Sequence, residues 1–160
     1  MGCEAEFPTL LINYSPKFKL AISLSRAEAY PKAGLPGYVE HFYDVLIKIL
    51  HPGGHFEYQA DGICFDARVF EHFAHELRSL QAGTADRAQL SEVGQMLSFK
   101  LEKRKHHLQA SILVREYQPR DKETVLSAEF EVDYDLFVNK LAADILEFTR
   151  ELKRVEPDQV

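Results

Sequence analysis

The sequence predicts an α+β domain: an antiparallel sheet of about six or seven strands with two main helices packed on one face. Two observations predict it. Three runs in the last third of the chain alternate apolar and polar residues, which gives each strand one dry and one wet face. Two further stretches, Phe70 to Leu80 and Phe137 to Leu152, carry apolar residues at helical spacing. Two amphipathic helices then cover the apolar side of the sheet. The opposite side is left to solvent or to a partner.

Taken in order, Phe7 to Asn13 is apolar enough for a short strand. In Lys17 to Leu24, Phe18, Leu20, Ile22 and Leu24 face one way, and Lys17, Lys19, Ala21 and Ser23 the other. Arg26 to Tyr38 holds Pro31, Gly34, Pro36 and Gly37 and reads as a loop. Val45 to Leu50 is apolar and rich in β-branched residues, and His51-Pro52-Gly53-Gly54-His55 supplies a turn. Phe56, Tyr58 and Ala60 then alternate with Glu57 and Gln59. A hairpin is expected here, although Tyr38 to Leu50 also tolerates helical spacing.

Asp66 suits the N-cap of a helix reaching Leu80, because its carboxylate can accept from first-turn amides. Gln81 to Gln89 is polar, with Gly83 and Thr84, and reads as a loop. Three antiparallel strands follow, with dry faces at Leu97, Phe99 and Leu101, at Leu108, Ala110, Ile112 and Val114, and at Leu126, Ala128, Phe130 and Val132. Their turns, Lys103 to His106 and Gln118 to Lys122, are charged. A closing helix starts near Asp133 or Asp135 and runs to about Lys153, with acidic residues at its start and basic ones at its end, as the helix dipole favours. Residues 1–160 are read as a single domain, with 1–17 peripheral and 155–160 frayed.

At 160 residues, the chain can bury roughly 70% of the surface exposed when unfolded, enough for its own core. A net charge of −6 speaks against a general nucleic-acid binder, which carries a basic stripe. No apolar run approaches the length of a membrane span. The two cysteines, Cys3 and Cys64, make no disulfide framework, which points to a reducing compartment, the cytoplasm. The first residues lack the basic and apolar regions of a signal peptide. Gly2 is followed at position 6 by Glu, where the myristoylation pattern wants Ser or Thr.

The candidates for chemistry are few. His72 and His75 share a helix face, but no His-Glu-x-x-His pattern is present and both project away from the apolar stripe; a pair of surface histidines is the better reading. His51 and His55 flank a turn and could ligate a metal with Asp44 or His41, yet nothing in the spacing secures the third ligand a zinc site needs. Lys103 to His107 is a basic tip, best read as a solvated hairpin end. Cys64 lies among apolar neighbours and reads as a small core residue. No phosphate-binding glycine loop or nucleophile elbow occurs.

The favoured constellation is acidic. Glu129 and Glu131 fall on one wet face, roughly 7 Å apart, with Asp133 next in line. Glu57, Gln109 and Lys100 occupy wet positions of other strands and complete the candidate partner-binding set. Two carboxylates at that spacing could serve as acid and base in glycoside cleavage, but one must then sit in a dry pocket. A polar ladder that orients a basic partner asks for less; ordinary solvated residues with a helix cap are the plain alternative. A small hydrolase or metal enzyme using Glu129 and Glu131 or the His51/His55 hairpin, and a homodimeric adaptor, are the rival readings.

The order of elements resembles that of the WapI-type bacterial immunity proteins, small α+β proteins encoded beside contact-dependent or wall-associated toxins. The likeness runs from about Phe18 to Leu152. It is strongest at Asp66-Ala67-Arg68-Val69-Phe70-Glu71-His72-Phe73 and at Ala128-Glu129-Phe130-Glu131-Val132-Asp133. The segment before Phe18 and the stretch Arg26 to Tyr38 find no match in it. The resemblance implies a cytoplasmic, non-enzymatic protein that binds a cognate toxin domain without a cofactor. Tyr58, Tyr117 and Tyr134 are then candidate anchors if exposed.

Overall fold

Strand alternation and helical stripes fold as the sequence predicts in kind, but the strands divide between two sheets. The computed structural model describes residues 8–15, 18–31, 33–36, 39–51, 56–92, 94, 96–118, 122–155 and 158–159. The first sheet holds β1 (Thr9–Ser15), β2 (Phe18–Pro31), β3 (Val39–His51) and β4 (Phe56–Asp66) as successive antiparallel neighbours. Helix α1 (Ala67–Gln81) leads to the second sheet, the antiparallel meander β5 (Arg87–Ser91), β6 (Leu97–Lys103), β7 (Leu108–Gln118) and β8 (Lys122–Val132). A π-helical turn, Asp135–Lys140, runs into α2 (Leu141–Arg154). β9 (Asp158–Gln159) then returns parallel to β2.

The class is α+β with two helices and antiparallel sheets, yet one sheet of six or seven strands is not what forms. The cause is α1. It separates β4 from β5, so β5 starts a new sheet instead of extending the first. The same helix ties both sheets into one core: Phe70 packs against Phe65 of β4, while Phe73 meets Phe99 of β6 edge to face, with centroids 6.2 Å apart. Phe70 also meets Phe148 of α2 at 5.2 Å. These rings are all buried and belong to a single apolar cluster.

Local chemistry sets the helix ends. The Asp66 carboxylate accepts from the Arg68 amide at 2.8 Å, as its N-cap position predicts. At the other end Gly83 adopts φ 74°, which its missing Cβ permits. The Gly83 amide then donates to Leu80 O and the Thr84 amide to Ser79 O, the paired bonds that close a helix.

Four segments differ from the expectation. Arg26 to Tyr38 is not all loop, since β2 continues to Pro31. A register shift between Leu24 and Arg26 resets the alternation so that Ala27 and Ala29 become the buried positions. Loop Gln81 to Gln89 ends in the short strand β5, which buries Ala88 and Leu90 between exposed Arg87 and Gln89. The amino-terminal segment is not wholly peripheral, because β1 pairs with β2 and sends Leu10 and Ile12 into the core. Near the other terminus Asp158 and Gln159 pair with Glu28 and Ala29 instead of fraying.

Candidate partner-binding face of the second sheet

Strict alternation gives the second sheet two unlike faces. Ala88, Leu90, Leu97, Phe99, Leu101, Leu108, Ala110, Ile112 and Val114 are buried on one. Their neighbours face outward, and the strand register aligns them into rows. Arg87, Glu102, Gln109 and Glu131 form one row across β5 to β8; Gln89, Lys100, Ser111 and Glu129 form the next. Ser91, Ser98, Leu113 and Ser127 follow, and Arg115 pairs with Val125 beyond them.

Charge on this face is unevenly matched. Glu102 pairs with two cations, Lys100 Nζ at 3.2 Å and Arg104 at 3.1 Å. Arg104 Nε also donates to Gln109 Oε1 at 3.1 Å. Glu129 and Glu131 are exposed on β8, and among the described residues neither has a cation within salt-bridge distance. The Gln89 side-chain amide donates to Ser91 and Ser98. A concavity of about 330 Å³ opens here, lined by Gln89, Ser98, Lys100, Ser111, Leu113 and Glu129 among others.

The structure therefore brings four of the six predicted residues together: Lys100, Gln109, Glu129 and Glu131 share this face. Asp133 has a different task. Its carboxylate accepts from the Leu136 amide at 3.0 Å and starts the closing helix. Glu57 lies opposite Leu50 in the first sheet, away from the ladder; its side chain is outside the described residues. Tyr134 is no exposed anchor, since it is half-buried and donates to Leu80 O at 2.9 Å. The side chains of Tyr58 and Tyr117 lie outside the described residues.

The rival chemistries find little support in this geometry. Acid–base cleavage needs one carboxylate in dry surroundings, and both Glu129 and Glu131 are exposed. His55 and the His51 side chain lie outside the described residues, and among the described residues no group of three His, Cys, Asp or Glu could hold a metal ion. His72 and His75 are exposed, with His72 Nε2 3.3 Å from Glu76. Cys64 is half-buried on the first sheet, and burial followed by the nearby Asp44 carboxylate pushes its thiol up, away from the reactive thiolate.

Sequence reasoning missed the β5 contribution, Gln89 and Ser91, although the alternation Arg87-Ala88-Gln89-Leu90-Ser91 carries the signal. It also missed Glu92, whose buried carboxylate organises the turn before β6 by accepting from the amides of Gly94, Met96 and Leu97.

The family model of the WapI-like immunity proteins matches residues 11–155 of this chain. The chain belongs to the WapI-like immunity protein family. The match takes in most of β1, the whole open face of the second sheet and both helices. Nothing matches among curated proteins or among solved structures. Family membership implies a protein toxin as partner in general terms. No helix among the described residues is long and apolar enough to cross a membrane.

Proposed function

We propose that this WapI-like protein binds a cognate toxin domain in the cytoplasm and neutralises it by covering it, with the outward face of β5–β8 as the contact. The observation that carries the proposal is a pair of exposed carboxylates, Glu129 and Glu131, on the outward sheet face, with no cation within salt-bridge distance among the described residues. Unpaired surface charge of one sign speeds encounter with a partner of the other sign. Gln109 lies opposite Glu131 on β7, and Lys100 lies two strands from Glu129 in its row, so both are within the same contact face. Leu113 and Val125, at the far end of the same face, supply apolar contact; Val125 is 49% exposed. A standard interface removes roughly 800 Å² from each partner. Such inhibition needs neither cofactor nor catalysis.

The test takes as its probe the toxin domain of the neighbouring gene, where the family resemblance places it. Calorimetric titration of the wild type against the Glu129→Lys/Glu131→Lys double variant should show at least about tenfold weaker binding for the variant, carried mainly by slower association. Equal affinities remove the carboxylate pair from the interface.

A further inference from the structure

Edges of β-sheets attract other strands, and folded proteins blunt them by covering, bending or shortening them. Three edges in this molecule are treated so. β5 is five residues long and lies against α1, whose Glu76 carboxylate accepts the Gln89 amide at 2.7 Å. The β1 ladder is broken by a register shift between Ile12 and Ser15, and α2 packs on that strand. The β4 ladder is broken between Val45 and Ile47 of its partner.

β8 is the exception. It runs eleven residues, Lys122–Val132, with no proline or glycine, and pairs with β7 without a register shift from Leu108↔Val132 to Gln118↔Lys122. It ends the second sheet, and among the described residues β7 is the strand it pairs with. The apolar side of the sheet is also incomplete at this strand. Ala110 and Ile112 of β7 are 1% and 2% exposed, whereas their β8 neighbours Phe130 and Ala128 are only half-buried. Both pack on the core cluster and keep part of their surface at this margin of the sheet.

We infer, resting on the toxin-binding reading above, that the partner docks by adding an extended basic segment to the free edge of β8, as a fifth strand of the second sheet. Strand addition satisfies the outward backbone amides and carbonyls of β8, while side chains give the selectivity. Residues on neighbouring strands that share a face lie about 5 Å apart. Lysine or arginine at alternate positions of the incoming strand therefore falls beside Glu129 and Glu131. Apolar residues between them fall on the other side, over Ala128 and Phe130. A second copy of β8 fits poorly, because it brings its own glutamates to the same strip and like charges facing each other destabilise the pair.

The experiment is amide hydrogen exchange, read residue by residue by NMR on isotope-labelled protein, alone and saturated with the unlabelled toxin domain encoded beside the gene. Free protein should exchange quickly at the β8 amides that point away from β7. In the complex these amides should slow about a hundredfold or more, and filtered NOE spectra should show strand-to-strand contacts from β8 to the toxin. Tight binding with the β8 edge still exchanging quickly overturns strand addition and leaves the toxin-binding reading intact. Absence of binding at any concentration overturns that reading, and strand addition with it. Edge protection in the free protein together with dimer sedimentation overturns the basic segment in favour of a second copy.

Discussion

Replacing Glu92 by alanine removes the acceptor that organises the connection between β5 and β6. The carboxylate is 4% exposed, and it takes the Gly94 amide at 2.6 Å, the Met96 amide and, more weakly, the Leu97 amide at 3.3 Å. Burying a charge is costly unless it is hydrogen-bonded, and here backbone donors meet it. Each buried donor left without an acceptor costs about 1–3 kcal/mol. Two good bonds and one weak one, partly replaced by water in the variant, sum to about 2–4 kcal/mol. That is a large share of the roughly 5–15 kcal/mol that holds a domain folded. Glu92→Gln keeps one carbonyl acceptor and should lose about half as much. Urea unfolding followed by far-ultraviolet circular dichroism reads both variants on one scale. A loss below about 0.5 kcal/mol for Glu92→Ala, the range of neutral surface changes, would refute the reasoning, as would equal losses for the two variants.

Other outcomes follow from the same geometry. Phe73→Ala and Phe99→Ala should each cost about 3–5 kcal/mol, and the double variant less than their sum, because the rings touch and share one cavity; additive unfolding free energies would contradict that contact. In a Cys3→Ser background, Cys64 should react with iodoacetamide at pH 8 several times more slowly than glutathione, and Asp44→Asn should speed it up. Because burial and Asp44 raise the folded thiol pKa, the linked stability is full below the unfolded value and fades as pH climbs past it; alkaline unfolding titrations of Cys64→Ala should lack that component.

Periodicity made the second sheet legible. Leu97, Phe99 and Leu101 against Ser98, Lys100 and Glu102 fix both a strand and its facing, and the structure places Lys100, Gln109, Glu129 and Glu131 on one side as that alternation requires. The α1 boundaries were equally readable, since Asp66 and Gly83 are residues whose backbone chemistry suits helix ends. The extent of β2 was not. A register shift at Leu24/Arg26 inverts the phase, and proline and glycine nearby then look like a loop. The division into two sheets was hidden for a different reason: which strands pair depends on where α1 carries the chain, and local spacing holds no record of that. Asp133 was ambiguous because an acidic residue at the end of a strand serves equally as ladder or cap, and only the Leu136 amide decides.

The arrangement of charge predicts how binding should respond to salt. Glu102 offsets one of the two positive charges of Lys100 and Arg104, which both pair with it, whereas Glu129 and Glu131 are exposed with no cation within salt-bridge distance among the described residues. Exposed charges of this kind act at a distance and are screened within about 10 Å at 0.1 M salt and about 3 Å at 1 M. They should govern how often the toxin domain arrives. Leu113, Val125 and the apolar margin at Phe130 act only in contact and should govern how long it stays. Between 50 and 500 mM salt the association rate should then fall about tenfold, with the dissociation rate nearly constant, and the Glu129→Lys/Glu131→Lys variant should lose the salt dependence of association. Stopped-flow mixing separates the two rates. If dissociation carries the salt dependence instead, the carboxylates are desolvated at the centre of the interface, and the assignment of attraction to β8 charge and adhesion to its apolar neighbours is wrong.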